Sequence, residues 1–136
     1  MDATIGISDS FLRENLGIGV HRSITINAFR QEYKDLIADK SGYMEITTLL
    51  NPSVYICTAF ADGNCAMAFT LNSEASGFVL SGNKNPPNED LLLPFIEGDF
   101  LFYAKYIHSS MEAWDKLHSF LATGNLDALG ELDFLI

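Results

Sequence analysis

Basic side chains are scarce in this chain: eight Lys and Arg stand against eighteen Asp and Glu in 136 residues, for a net charge of −10. The deficit is uneven. Residues 1–50 carry seven acids and five bases, whereas residues 51–136 carry eleven and three, so the second part holds −8. Such a field repels phosphate backbones and anionic lipid while steering cationic molecules in, so neither nucleic acid nor a membrane is an expected partner. Long apolar runs are missing as well. The longest falls far short of the roughly 20 residues of a membrane span. The opening stretch MDATIGISDS has neither the basic flank nor the apolar centre of a signal peptide. A soluble cytoplasmic protein is expected.

Motifs that specify a chemistry are also lacking. No glycine-rich phosphate cradle with a following Lys-Ser/Thr occurs, nor a GxSxG turn, nor a recognisable Cys-His pairing. His108, Glu112, Asp115 and His118 offer metal-donor types within a short span. Helical phase separates them, placing His118 near Trp114 and Glu112 and Asp115 on the polar side, with His108 before the helix. Glu97 and Asp99 are spaced as a carboxylate pair, but in so acidic a chain such pairs are common. The expectation is therefore no catalytic residue, no metal, no cofactor and no enzyme activity.

What the chain does contain is a well-marked hairpin at residues 54–71, VYICTAFADGNCAMAFTL. Asp62-Gly63 suits a two-residue type I′ turn, in which both central positions need positive φ. Counting outward sets Phe60 opposite Cys65, Thr58 opposite Met67, Ile56 opposite Phe69 and Val54 opposite Leu71, so the bulky residues share one face. Tyr55, Cys57, Ala59 and Ala61 with Ala66, Ala68 and Thr70 make the other, a small-residue surface on which a helix could lie close. A slip of one residue would mix the two sets. In this register Cys57 and Cys65 are three residues apart along the strands, about 10 Å, beyond the roughly 7 Å limit for a disulfide. They point to opposite faces, and two buried free thiols fit a reducing compartment.

Around the hairpin, residues 8–17 read as a short capped helix ended by Gly17. Residues 18–26 alternate as a strand, with Arg22 on the Val20 and Ile24 face. Asn27 is placed to cap a helix over 28–41, with Phe29, Tyr33, Leu36 and Ile37 as its apolar stripe. Residues 43–50 alternate Met44, Ile46 and Leu50 inward, and residues 77–81 form another strand. The loop 81–90, SGNKNPPNED, is a long surface excursion. Residues 91–107 are ambiguous, since Pro94 and Gly98 oppose a long helix while the aromatic run suits a strand. Ser109 and Glu112 form a capping box for a helix over 110–123, stopped by Gly124. The tail reads as one helical turn and an acidic, apolar end. Phe95, Phe100, Phe102, Tyr103, Tyr106 and Trp114 are dense enough to line a pocket, though core packing is their commoner use.

These features define a single α+β domain, residues 1–136, with an antiparallel sheet of about four to six strands centred on 54–71 and the 28–41 and 110–123 helices packed on it. Glu89, Asp90, Glu97, Asp99, Asp127, Glu131 and Asp133 lie in two stretches free of Lys and Arg. They are the candidate surface for a basic protein partner. In size and charge such a chain resembles bacterial immunity proteins that neutralise cationic toxins, and the dedicated chaperones of secreted effectors. The implied role is an acidic protein-binding module or inhibitor. The alternative is a small enzyme or ligand-binding domain with an aromatic-lined pocket. The sequence sets no oligomeric state.

Overall fold

The structure, a computed structural model, describes residues 4–9, 20–31, 41–48, 50–71, 77–83, 85–95 and 98–135. Ten strands occur among them, β1 (Thr4–Asp9), β2 (Val20–Thr25), β3 (Gly42–Thr48), β4 (Val54–Ala61), β5 (Asn64–Leu71), β6 (Gly77–Leu80), β7 (Leu91–Phe95), β8 (Gly98–Phe102), β9 (His108–Ser109) and β10 (Leu132–Leu135). Residues 26–31 are helical (α1), and α2 spans Ser110–Thr123. Seven strands make one antiparallel sheet in the order β10-β6-β5-β4-β3-β1-β2, and the two-residue β9 joins as an eighth on the β5 edge beyond β6. β7 and β8 form a separate two-stranded sheet. The α+β class and the central hairpin are as expected. The sheet is broader because residues 4–9 and 132–135, too short for periodicity to reveal, add strands on opposite sides.

The hairpin register matches the sequence expectation at every pair from Val54↔Leu71 to Ala61↔Asn64. Asp62 and Gly63 have φ of 51° and 78°, as a type I′ turn requires. Both cysteines are free and buried. The bulky face, with Met44, Ile46, Ile56, Phe60, Met67 and Phe69, packs against Phe29 of α1 and against Trp114, Leu117, Phe120 and Leu121 of α2. Trp114 stacks on Phe29 at 5.3 Å. α2 begins where its capping box predicts: Ser109 Oγ accepts from the Glu112 amide at 3.2 Å. It ends at Gly124, whose φ is 71° and whose position leaves no room for a Cβ, which would fall 2.8 Å from the Leu50 carbonyl oxygen.

Several local expectations change in the folded chain. The small-residue face carries a hairpin in place of a helix: β7–β8 lies on it, with Leu93, Phe102 and Ile107 packed on Ala59 and Ala66. Short side chains admit any close-packed layer, and 91–107 supplies one as strands. Leu50 is 50% exposed because β3 ends at Thr48, which takes the last inward position. α1 starts two residues earlier than expected, capped by Thr25 Oγ1, which accepts from the Ala28 amide at 3.2 Å, in place of Asn27. Ser8 and Asp9 belong to β1, and the rest of the expected 8–17 helix lies outside the described residues. So do Tyr33, Leu36 and Ile37 of the α1 stripe and the Arg22 side chain. In the tail, a 3-10 turn at Leu126–Leu129 precedes β10, which pairs with β6.

Candidate functional site

The β7–β8 hairpin is the most apolar exposed part of the molecule among the described residues. Its register sets Leu91↔Phe102, Leu93↔Phe100 and Phe95↔Gly98 on the face toward the sheet, and Leu92↔Leu101 and Pro94↔Asp99 on the outer face. Leu92 is accordingly 62% exposed and Leu101 50%. Phe100 breaks the alternation. It faces inward opposite a fully buried Leu93, yet 56% of its surface is open. The cause is the placement of the hairpin: β7 rides over β3 and β4, with Phe95 edge-on to Tyr43 at 5.1 Å, so β8 overhangs the β5–β6 side.

Beneath that overhang runs a groove of about 380 Å³, floored by Ala68 and Val79 and walled by Phe95, Phe100, Phe102, Tyr103 and Tyr106, with Leu101 at its β8 rim. Phe95, Phe100 and Phe102 contact one another with centroids 4.9 to 5.9 Å apart. Five of the six aromatics singled out in the sequence thus line or edge this groove, while Trp114 is buried in the helix-side core. A 3-10 turn at Ala104–Tyr106 closes one end. It is pinned by Asn83, whose side-chain amide donates to the carbonyls of Ala104 and Ile107, and by Asp90, whose Oδ1 accepts from the Ala104 amide at 2.8 Å. The loop 81–90 is therefore exposed along its middle but anchored at both ends.

The structure distributes six of the seven candidate acids around two layers. Glu89 and Asp90 lie at the base of the hairpin and Asp99 lies near its tip, all three exposed. Asp133 is opposite Val79 in the β10–β6 pair, so it shares the groove face, where Ser81 Oγ reaches its Oδ1 at 3.4 Å. Glu131 sits beside Gly82 at the start of the anchored loop. Asp127 does not join them, because its 3-10 turn packs Leu129 into the helix-side core. Glu97 lies outside the described residues. A base also stands at the groove: Lys105 Nζ lies 4.9 Å over the ring of the groove-lining Tyr106.

Two other polar constellations tie elements of the fold together, the first partly exposed and the second internal. On β3 and β4, the Tyr43 and Tyr55 hydroxyls donate to the two carboxylate oxygens of Glu45, each at 2.6 Å. Burial first holds both phenols far above their ordinary range, followed at Tyr43 by its hydrogen bonds with Cys57 and then Glu45, and at Tyr55 by the bond to Glu45. Burial also raises the neighbouring Cys57 thiol, against a lowering hydrogen bond with Tyr43. A carboxylate with both oxygens occupied beside a neutral thiol ties strands together; it is not arranged as a nucleophile. The second constellation is His108, buried, with Nε2 3.2 Å from the Leu80 carbonyl oxygen. Its Nδ1 is 3.5 Å from Glu112 Oε1 without hydrogen-bond geometry. His118 instead tilts over Trp114 at 5.8 Å. Among the described residues no three His, Cys, Asp or Glu side chains converge on a point.

No family model, curated protein or solved structure matches the chain. Among the described residues, no helix is long and apolar enough to cross a membrane. Function therefore has to be argued from the hairpin, its groove and the charge around them. Leu92 and Leu101 carried no motif in the sequence. The signal that could have found them is the pair of apolar runs LLLPF and GDFLF, separated by two residues and too hydrophobic for an outer strand.

Proposed function

We propose that this protein is an acidic protein-binding module that engages a basic protein through the exposed hairpin, and so neutralises or chaperones it. The observation that carries the reading is the clustering of Leu92, Phe100, Leu101 and Tyr103, all at least half exposed, on one small element. Exposed apolar patches of this kind on a small domain mark interaction surfaces. The surroundings favour a basic partner: Glu89, Asp90 and Asp99 lie on or next to the hairpin, Asp133 faces it across the groove, and Glu131 is exposed beside Gly82, in a chain whose net charge is −10. Apolar contact supplies affinity at the centre, and the acidic rim steers encounter and rejects anionic competitors.

Affinity capture from the native host, read by mass spectrometry, tests the role. A stoichiometric basic protein that is released by Leu92→Asp with Leu101→Asp supports it. A basic protein retained equally well by that double variant places binding elsewhere and removes the hairpin from the proposal. The aromatic walls of the groove favour one other reading, a small apolar ligand bound beneath β8. That reading gains if the purified protein carries a stoichiometric small molecule and no protein.

A further inference from the structure

We infer that the partner segment binds as an added strand on β8: an extended stretch of alternating apolar and basic residues that pairs with the free edge of β8 and fills the groove below. The inference rests on the protein-binding reading above and specifies its geometry. Among the described residues β8 pairs only with β7, so one edge of it is open. The open edge is the one facing the groove, since β7 occupies the β3–β4 side and the groove floor is Ala68 and Val79 of β5 and β6. An apolar edge strand left uncovered is a template for pairing, and strand addition is a recurrent mode of peptide recognition.

Pro94 indicates which backbone groups are offered. Lacking an N–H, it fits only the non-hydrogen-bonded position of its pair with Asp99. Alternation then makes Leu93↔Phe100 a hydrogen-bonded pair and Leu92↔Leu101 a non-hydrogen-bonded one, so the amides and carbonyls of Asp99 and Leu101 point to the open edge. A strand laid there alternates its side chains between the two faces. One set drops into the groove against Phe100, whose ring touches Phe95 and Phe102 and is still more than half uncovered. The other set lies on the outer face beside Leu101 and Asp99. Asp99 at the hairpin tip, Asp133 across the groove and Glu89 at the hairpin base favour Lys or Arg among its residues. The same charge opposes pairing of two copies of this chain through β8.

The probe is a capped peptide of alternating lysine and valine, about ten residues long, added to the full chain and followed by amide NMR and hydrogen exchange. Controls are the alternating glutamate-valine peptide, the lysine-valine peptide N-methylated at every second residue, and Leu101→Pro protein. Proline at 101 removes an edge donor without touching the β7 pairing. The expected result is binding of the lysine-valine peptide at about 10⁻⁴ M, with exchange at Asp99 and Leu101 slowed about tenfold and exchange at Phe100 unchanged. Binding should fall about tenfold with Leu101→Pro and with the N-methylated peptide. The N-methylated arm carries the question even if Leu101→Pro fails to fold. If both modified forms bind as well as the originals, strand addition is overturned while the basic-partner reading stands. If the lysine-valine peptide does not bind at about 1 mM, or the glutamate-valine peptide binds equally, both fall. A dimer of the free protein that Leu101→Pro dissociates would overturn the foreign occupant in favour of a second copy.

Discussion

His108 sits between β6 and the first turn of α2, and its environment decides its charge. Burial pushes its pKa below the ordinary 6.5, against raising contributions from the Leu80 carbonyl and Glu112. The folded chain thus keeps the imidazole neutral where the unfolded chain protonates it. A group whose folded pKa is depressed gives stability that is present above its unfolded pKa and lost as pH falls. The urea midpoint is expected to drop between about pH 7.5 and about pH 5.5, and His108→Gln should flatten that drop. An unchanged pH dependence in the variant would show that carboxylates alone cause it. The thiols give the opposite sign. Burial pushes Cys65 up to about 12 from 9.0, so its contribution holds below about pH 9 and fades as pH rises toward 12. Neither Cys57 nor Cys65 should react with a thiol reagent in the folded state, and two should react after unfolding without reductant. Fewer than two would mean that one thiol is oxidised.

At the scale of elements, α2 and the β7–β8 hairpin cover opposite faces of the same sheet and can be loosened separately. Trp114, stacked on Phe29 and almost wholly buried, anchors α2. Trp114→Ala should cost about 3–5 kcal/mol in a denaturant titration. Leu93 is the corresponding anchor of the hairpin, 1% exposed against Ala59 and Ala66. Leu93→Ala should cost about 2–5 kcal/mol, with increased exchange of β7 and β8 amides and little change at Leu117 or Phe120. Equal loosening of both layers would show that the hairpin and helix form one cooperative unit. The capping box and Gly124 made α2 readable in advance, because they are local interactions. The hairpin was less legible. Pro94 and Gly98 disfavoured a helix, but the inward and outward sets are both apolar, so alternation was hidden.

For the whole molecule, the question is whether −10 is a solubility device or a steering field. With a basic partner in hand, the association rate should fall steeply as salt rises from about 0.05 to about 0.5 M, because the Debye length shrinks from roughly 14 Å to about 4 Å. Reversing Glu89, Asp99 and Glu131 to Lys should slow association more than reversing Asp115, which is exposed on α2 across the sheet. Equal effects, or none, would assign the charge to solubility. The sequence marked these acids as two stretches. Folding brings Asp133 onto the groove face and sends Asp127 to the helix side, a division set by the β10–β6 register and by Leu129.

The sequence by itself determined the parts of this protein that rest on near neighbours: the 54–71 register, set by Asp62-Gly63 and the split between bulky and small faces; the separation of the two cysteines; and both ends of α2. These depend on φ preferences, caps and alternation, which act over a few residues. Only the tertiary structure decided that β1 and β10 widen the sheet, that a hairpin and not a helix covers Ala59 and Ala66, and that β8 overhangs a groove with one edge unpaired among the described residues. Each of those depends on which distant surfaces meet. A five-residue apolar run has the same local preferences whether it ends up buried or open, and the neighbour it packs on is what tells the two apart.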